Sequence, residues 1–419
     1  MERFLRSGRN DRVERFLRSG RNDRVERLSR YTRNDIWIMN KTWIEISKDA
    51  LAHNVRAFRE HVGDAPIMAV VKSNAYGHGL INVAKVADES GAAWFGVDNV
   101  DEGIELRKNG IKKPILILGY TMNERLHDCV DNGLSFTIYN LETVSALRDR
   151  MSNVECRMSD KEALVHIKIE TGTTRQGIAG DALSDLLYEL KDIKGVVIQG
   201  ASTHFANIED TTDHSYADEQ LQRFRDAISL MQEQGIDPEF KHAACSAATV
   251  LFPETYFNLV RLGISMYGLW SSKETLAVAK EKGRVLDLKP VMTWKTVVAQ
   301  IKDVKKGTPI SYGMTERVAR DSKIAVLPVG YWDGYDRGLS GCGTVLIRGQ
   351  RCKVMGRVCM NMCMVDVTDL SDVAVEDEVV LLGTQDGESV SAEELAEKLG
   401  TINYEVVTRI NPLIPRISA

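Results

Sequence analysis

The chain has 419 residues, of which 43% are hydrophobic, with a formal net charge of −5 and a mean hydropathy of −0.21. This length predicts two domains, each large enough to bury a core. The ordinary composition, without a long uninterrupted apolar run or a signal-peptide core, argues against a membrane-spanning or secreted protein.

The first 38 residues differ in composition from the rest of the chain. The segment ERFLRSGRNDRV, residues 2–13, is repeated without change at residues 14–25, and arginines recur at every third position. A period of three matches neither a helix face nor a strand, so residues 1–38 are predicted to be a disordered or cloning-derived basic tail. Attraction of this tail to anionic lipid or nucleic acid is the functional alternative.

Residues 39–288 are predicted to form a barrel of alternating strands and helices. Eight apolar runs are typical of buried strands: 67–71, 94–99, 114–120, 134–140, 163–171, 196–205, 240–246 and 259–268. Helical patterns lie between most of them, for example at 80–89, 141–151 and 218–235. Eight such units within roughly 230 residues favour a closed (β/α)₈ barrel over a doubly wound open sheet, which would not require eight strands.

The pattern changes near residue 288, and residues 289–419 are predicted to form a mostly antiparallel β domain. Apolar strands separated by tight turns predict this domain: 291–304, 323–329, 343–348, 362–367 and 379–382. A helical pattern returns at 391–399, where Ser391 and Glu394 resemble a capping box.

The seven cysteines form no CxxC pair and no Cys/His cluster, so no metal site is predicted. Their odd number favours reduced thiols in the cytoplasm over a disulfide framework.

Lys72 ends the first barrel strand and is followed by the turn SNAYGHG, residues 73–79. A lysine in this position either extends its ammonium group to solvent or is a reactive amine whose pKa is lowered by desolvation. Polar residues also stand at or near the ends of four other barrel strands: Lys168, Arg175, His204, Ser246 and Arg261. Each alone is compatible with a structural ion pair or hydrogen bond. Together they favour one site, because barrel active sites lie at the carboxyl ends of the strands.

The segment AVVKSNAYGHG, residues 69–79, resembles the signature of the alanine racemase family, whose members are barrel enzymes that use pyridoxal 5′-phosphate (PLP). Further motifs similar to those of the family follow in order over residues 40–416. The resemblance implies PLP as the cofactor, a small amino acid as the substrate and Lys72 as the residue that binds PLP covalently.

The resemblance also implies roles for the other residues at the strand ends. Arg261 would face the pyridine nitrogen of PLP, and because arginine keeps its proton, that nitrogen would remain unprotonated. His204 would link Arg261 to a catalytic tyrosine. The phosphate would be held by four residues: Tyr76, Ser246, Gly263 and Ile264.

Substrate-binding residues follow from further family motifs. Arg175 resembles the arginine that binds the substrate carboxylate, although TGTTR, residues 171–175, differs from the usual TGMGR. Lys168 matches a position that is carbamylated in many relatives. The segments GYWDG and VCMNM imply three more substrate contacts: Tyr331, Met360 and Asn361. Asn361 stands in place of the aspartate that is usual in the family.

The segment ISYGMT, residues 310–315, resembles the family motif that carries the second base. Racemisation requires proton transfer on both faces of a planar carbanion, and one fixed base cannot reach both. Tyr312 would therefore act on the face opposite Lys72, although a tyrosine in a turn is the simpler interpretation. In the family this tyrosine comes from the other subunit, so the resemblance implies a homodimer with shared active sites.

The segment INPLIPR, residues 410–416, stands where alanine racemases commonly carry ISYRVPR. Asn411 or Pro412 replaces the tyrosine, which would open space for a side chain one hydroxyl larger than that of alanine. This replacement is similar to that in VanT-type serine racemases of vancomycin resistance, which carry an additional membrane domain.

The sequence thus predicts a racemase of alanine, serine or both that supplies D-amino acids for peptidoglycan. Its location would be the cytoplasm, with a membrane involved only if the native protein carries a further domain, and no nucleic-acid partner is predicted. An ordinary biosynthetic alanine racemase, a non-catalytic PLP carrier and a decarboxylase are the alternatives. The decarboxylase would need an acidic residue where Arg261 stands.

Overall fold

The structure is a computed structural model that describes residues 40–152 and 161–419. The basic tail predicted at residues 1–38 lies outside these ranges. Among the described residues, no helix combines the length and the apolar character that crossing a membrane would require.

Strand β1 (Thr42–Ile46) and helix α1 (Lys48–Val62) precede the barrel. The Ser47 hydroxyl caps α1 by accepting a hydrogen bond from the Ala50 N–H, and α1 buries Leu51, Val55 and Phe58. Eight parallel strands then form the barrel: β2 (Ile67–Val70), β3 (Trp94–Val97), β4 (Ile115–Ile117), β5 (Ser135–Ile138), β6 (Ala163–Lys168), β7 (Val196–Ser202), β8 (Phe240–His242) and β9 (Val260–Leu262).

These strands confirm the eight predicted from the sequence. All residues of β2 to β5 are buried, because the sheet is covered on both faces. The sheet order runs from β8 through β7 down to β2 and then to β9. Arg261 bridges the remaining gap, since its backbone N–H donates to Ala244 O at 3.1 Å.

The connecting helices also agree with the predicted patterns to within a few residues. The structure has α2 (Leu80–Glu89), α3 (Val100–Lys108), α4 (Leu126–Asp131), α5 (Leu141–Ser152), α6 (Asp181–Lys191), α7 (Ser215–Glu233), α8 (Ser246–Leu251) and α9 (Lys273–Glu281). Several place apolar side chains against the barrel, as α6 does with Leu183, Leu187 and Leu190.

The C-terminal part is the predicted, mostly antiparallel β structure. Its strands are β10 (Met292–Val297), β11 (Gln300–Val304), β12 (Pro309–Ile310), β13 (Glu316–Arg317), β14 (Ser322–Leu327), β15 (Thr344–Ile347), β16 (Gln350–Met355), β17 (Cys363–Asp366), β18 (Glu378–Gln385), β19 (Glu388–Val390) and β20 (Arg416–Ser418). Helices α10 (Ala392–Leu399) and α11 (Asn403–Thr408) lie between β19 and β20.

Strand β1 belongs to this second sheet and not to the barrel. It pairs antiparallel with β10 and parallel with β20, with Ile44 opposite Trp294. The predicted boundary at residue 288 assigned residues 42–46 to the barrel domain, whereas these residues form a strand of the second sheet.

Helix α10 begins with half of the expected capping box. The Ser391 hydroxyl accepts a hydrogen bond from the Glu394 N–H at 3.1 Å. The Glu394 carboxylate instead accepts from Arg351 and from Lys398, the latter at 2.7 Å. It therefore ties α10 to β16 in addition to acting within its own helix.

Candidate active site

Lys72 lies just beyond β2, at the start of a turn with left-handed backbone. Residues 73–76 are not glycine, yet all four have φ between +52° and +56°. Left-handed helical conformation costs roughly 1–2 kcal/mol for each non-glycine residue. Neighbouring groups must therefore hold this turn, which carries Lys72 at one end and Tyr76 at the other.

Lys72 borders a cavity of about 530 Å³ at the carboxyl ends of the barrel strands. The structure brings nine of the residues predicted from the sequence together in its lining: Lys72, Tyr76, Lys168, Arg175, His204, Ser246, Arg261, Gly263 and Ile264. The position of the cavity is the one expected for the active site of a barrel enzyme.

Arg261 is fixed by hydrogen bonds to two neighbouring strands of the barrel. Its Nη1 donates to His242 O at 2.7 Å and to His242 Nδ1 at 2.8 Å. Its Nη2 donates to the carbonyl oxygens of Thr203 and Ala243, both at 2.8 Å, and lies 3.3 Å from His204 Nδ1. The Nε atom donates to no acceptor among the described residues. The guanidinium group therefore lines the cavity as an immobile cation with one donor to spare.

A chain of side chains extends inward from Arg261. Because His242 Nδ1 accepts from Arg261, its Nε2 must donate to His166 Nδ1, at 2.9 Å. His166 Nε2 then donates to Gln199 Oε1 at 3.3 Å. Burial, followed by the nearby charge of Arg261, lowers the pKa of His242 far below its usual range. Both histidines are consequently neutral, and each is fixed in one tautomer.

Positive groups dominate the cavity wall. Desolvation inside the barrel lowers the pKa of Lys168 well below its usual value, and Arg261, Arg175 and Lys72 act in the same direction. The same causes, with desolvation the largest, lower the pKa of His204. A carboxylate or a phosphate is the natural ligand of such a surface. The carbamylation of Lys168 stays a prediction.

The loop that carries Arg175 is ordered despite its departure from the family motif. The Glu170 carboxylate accepts hydrogen bonds from the N–H groups of Gly172 and Thr173, at 2.5 and 2.7 Å. The Thr173 hydroxyl donates to His204 O at 2.6 Å. Thr174, at the position of a family glycine, keeps a positive φ of 53°. The loop therefore brings Arg175 to the cavity with threonines in place of methionine and glycine.

The predicted phosphate cradle is assembled around a glycine. The Ser246 hydroxyl accepts hydrogen bonds from the N–H groups of Gly263 and Ser265, at 3.0 and 3.4 Å. A Cβ atom on Gly263 would lie 2.7 Å from the Tyr76 hydroxyl, so the space there exists only because the residue is glycine. Burial raises the pKa of Tyr76, and the phenol remains a hydrogen-bond donor at neutral pH.

These features fit PLP. The cofactor needs an amine for its aldehyde, donors for its phosphate and a partner for its ring nitrogen. Lys72 offers the amine, and the cradle around Gly263 offers hydroxyl groups in a space without a side chain. The unused Nε–H group of Arg261 offers the ring nitrogen a fixed hydrogen-bond donor that keeps its proton.

Tyr404 and Glu209 are among the cavity residues that the sequence analysis missed. Tyr404 of α11 donates a hydrogen bond to Glu209 at 2.6 Å, and its ring lies 6.1 Å from that of Tyr76. Both residues line the cavity. Neither belongs to a quoted motif, so only the packing of α11 against the barrel reveals them.

The remaining predicted residues lie elsewhere on the chain. A separate groove of about 1160 Å³ on the β domain is lined by Tyr312, Tyr331, Met360 and Asn361. Tyr312 is 73% exposed there. Within one chain the structure therefore does not bring Tyr312 and Lys72 into the same cavity.

Asn411 lines neither the cavity nor the groove. Its Nδ2 donates to Trp332 O at 3.0 Å, and its Oδ1 accepts from the Leu413 N–H at 2.9 Å. The side chain thus fixes the turn after Tyr331 to the C-terminal segment. Its contact with the substrate stays a prediction.

Comparison with known proteins covers nearly the whole described chain. Family models for "Alanine racemase, N-terminal domain" and "Alanine racemase, C-terminal domain" match residues 46–271 and 291–418. The alanine racemase of Desulforamulus reducens is 42% identical over 379 residues, which are 90% of this chain and 98% of the relative. The alanine racemase of Methanococcus maripaludis is 39% identical over 382 residues, 91% of this chain and 99% of the relative.

Solved structures give the same result. The crystal structure of alanine racemase from Bacillus anthracis with bound L-Ala-P has a TM-score of 0.84 and 37% identity, covering 91% of this chain and 96% of its own. Histidine racemase from Leuconostoc mesenteroides has a TM-score of 0.81 and 27% identity, covering 91% and 99%.

The barrel, the β domain and the lysine-centred cavity define a PLP-dependent isomerase of the barrel type. The chain belongs to the alanine racemase family, as the sequence motifs predicted.

Proposed function

We propose that this protein interconverts the L- and D-enantiomers of alanine with PLP held at Lys72. The observation that carries the proposal is the meeting of Lys72 and the immobile Arg261 in one cavity. A carboxylate opposite the ring nitrogen would favour the stronger electron sink of other PLP enzymes, such as a decarboxylase, whereas the residue that we propose for this position is Arg261.

Each residue of the cavity then has a defined task. PLP, when bound, supplies an electron sink that stabilises negative charge at the substrate Cα. Lys72 Nζ takes or returns the Cα proton on one face. Arg175 binds the substrate carboxylate at the edge of the cavity, and Arg261 keeps the ring nitrogen unprotonated. Tyr312 exchanges the proton on the opposite face, with His204 between it and Arg261.

A second copy of the chain must supply Tyr312. Its groove carries a cluster of exposed apolar side chains, with Tyr331 42%, Met360 55% and Met362 53% exposed. An apolar cluster of this kind on a soluble chain is typical of a protein interface. We infer a homodimer in which this groove covers the partner's cavity, so that two sites are each shared between two chains.

Serine is the second substrate that we propose. The segment at 410–416 lacks the tyrosine of ISYRVPR, and Asn411, which is bonded to Trp332 and Leu413, does not line the cavity. The space of that phenol would suit a hydroxymethyl side chain. The likeness to VanT-type racemases depends on this segment alone.

The setting of the reaction is part of the same proposal. The six cysteines in the described ranges are unpaired thiols, which suits a reducing compartment. We infer a cytoplasmic enzyme whose D-amino acids enter peptidoglycan precursors.

The test is chiral analysis of the products formed from L-alanine and L-serine by the purified, PLP-loaded protein. We expect D-alanine as the main product and D-serine at a lower rate. Lys72→Ala should abolish turnover together with the visible absorption of lysine-bound cofactor. Tyr312→Phe should keep that absorption and lower kcat by about 10²–10⁴-fold, the usual contribution of a positioned base.

Tyr188→Phe is the matched control, because Tyr188 is also an exposed tyrosine and lies on α6, where it lines neither the cavity nor the groove. It should leave turnover unchanged. If Tyr312→Phe kept full activity, or if neither amino acid were inverted, the proposed function would be wrong.

A further inference from the structure

The left-handed turn between Lys72 and Gly77 has a conformation that its own sequence disfavours. Ser73, Asn74, Ala75 and Tyr76 have Cβ atoms and still adopt φ values of +56°, +55°, +53° and +52°. A relaxed, right-handed turn would change the relative directions of Lys72 and Tyr76. Since one would bind the aldehyde and the other the phosphate of the same cofactor, this handedness is a requirement of the site.

Glu102 holds the turn through one backbone N–H group, that of Asn74. One carboxylate oxygen accepts from the Asn74 N–H at 2.9 Å, and the other accepts from the Asp98 N–H at 3.0 Å. Glu102 stands in the first turn of α3, whose cap Asn99 accepts from the Glu102 N–H at 3.0 Å. One carboxylate thus ties the turn after β2 to the end of β3.

His78 holds the turn through two carbonyl groups of the turn, those of Ala75 and Tyr76. Its Nδ1 lies 3.1 Å from Ala75 O and 3.0 Å from Tyr76 O, so Nδ1 carries the proton and donates. The ring is 1% exposed and lies 4.4 Å from that of Tyr267. Burial lowers the pKa of His78 to about 4, which keeps the ring in this neutral form.

Tyr267 is the third residue that supports the turn. Its ring also packs 5.0 Å from that of Tyr76, and its hydroxyl donates to Val70 O at 2.9 Å. The turn cannot reverse its handedness without breaking the bonds to Glu102 and His78 and disturbing this aromatic stack.

We propose that Glu102 and His78 are positioning residues that force the turn 73–76 into its left-handed form and thereby orient Lys72 and Tyr76 toward PLP. The two residues act on opposite polarities of the same backbone segment: Glu102 accepts from its N–H and His78 donates to its C=O groups. The inference rests on the proposed function in one respect, that Lys72 is the lysine that binds PLP.

The experiment compares Glu102→Gln with Glu105→Gln. The first variant keeps the size of the side chain but turns one acceptor into an NH₂ group, which would face a backbone N–H. We expect the dissociation constant for PLP to rise at least tenfold, and the pH dependence of the visible absorption of lysine-bound cofactor to shift. We also expect kcat to fall more than KM rises. Glu105 lies on the same helix and is exposed, and its carboxylate accepts a hydrogen bond from the Asn109 side chain, so its variant should match the wild type.

His78 provides a second test with a rescue. His78→Leu removes the donor and should weaken PLP binding, whereas His78→Asn keeps an N–H group and should restore much of it. Circular dichroism and the thermal unfolding of the PLP-free protein separate these effects from a loss of folding.

Two results would overturn the inference: wild-type PLP affinity with an unshifted absorption profile in Glu102→Gln, or equal losses in His78→Leu and His78→Asn. The proposed function fails separately, if the wild-type protein binds PLP at Lys72 and inverts no amino acid.

Discussion

At the scale of single residues, Arg261 sets the electrostatics of the site. The hydrogen-bond partners of its Nη1 and Nη2 groups among the described residues are carbonyl oxygens and histidine nitrogens, with no carboxylate among them. Burial lowers the pKa of Arg261 to about 10, so the guanidinium group still carries its charge at neutral pH. Desolvation and the charge of Arg261 lower the pKa values of the neighbouring His204 and His242, so these histidines remain neutral.

This arrangement predicts a loss of stability in weak acid. Burial lowers the pKa of His166 to about 4 in the folded chain, whereas an unfolded histidine titrates near 6.5. As the pH falls from 7 to 5, the unfolded state binds a proton that the folded state does not bind. The free energy of unfolding should therefore fall, by ~2 kcal/mol for this one residue.

Urea unfolding at pH 7 and pH 5 measures this effect. His166→Gln should lose less stability over this range than the wild type, because the variant has no group to protonate there. His127→Gln, at an exposed position on α4, should follow the wild type. The same loss in His166→Gln as in the wild type would contradict the assignment.

At the scale of secondary-structure elements, the barrel was predictable and the turn after β2 was not. The eight strands were visible because burial on both faces requires continuous apolar runs, such as IMAV in β2. The left-handed form of residues 73–76 was hidden, because none of those residues is glycine and their conformation depends on Glu102 and His78. Sequence patterns report local preference, and here tertiary contacts override it.

The candidate site divides in the same way. Residues at the strand ends, such as Lys168 and His204, were predictable because the barrel brings all such ends together. Tyr404 was missed because α11 is distant in sequence from the turn after β2, and only the folded chain brings its ring to within 6.1 Å of that of Tyr76. The motif around Asn411 located this residue in the sequence but did not predict the partners of its amide. Those partners, Trp332 and Leu413, are visible only in the folded chain.

The cradle after β9 predicts a defect limited to cofactor binding. In Gly263→Ala the new methyl group would lie 2.7 Å from the Tyr76 hydroxyl. Tyr76 cannot move away easily, because its ring is packed between those of Tyr267 and Tyr404. The variant should fold and bind PLP at least tenfold more weakly, as measured by titration of the PLP-free protein.

Gly235→Ala is the control for this variant. It adds a methyl group at a position with no atom within 4 Å, in the loop after α7, at a φ of +78° that itself disfavours alanine. It should lower stability and leave the affinity for PLP unchanged. Equal affinities in the two variants would show that the cradle is not the phosphate site.

At the scale of the whole molecule, the two surfaces that a racemase needs lie apart on one chain. The barrel cavity carries Lys72, Arg175 and Arg261, and the groove of the β domain carries Tyr312. In the homodimer that we propose, closed symmetry would complete both sites at once, because each groove would meet the other copy's cavity. An isolated chain should therefore bind PLP and fail to racemise.

Mixed dimers test this sharing directly. Alone, Lys72→Ala is expected to be inactive and Tyr312→Phe to keep only its low residual activity, since every site lacks one base. In a dimer containing one chain of each kind, one site lacks both bases and the other combines an intact Lys72 with an intact Tyr312 from the partner. Random exchange makes half of the dimers mixed, so unfolding and refolding the two variants together should restore about a quarter of the wild-type activity. Refolding either variant together with Tyr188→Phe provides the control for recovery after refolding. If both bases came from one chain, the mixture of Lys72→Ala and Tyr312→Phe would stay as inactive as its components.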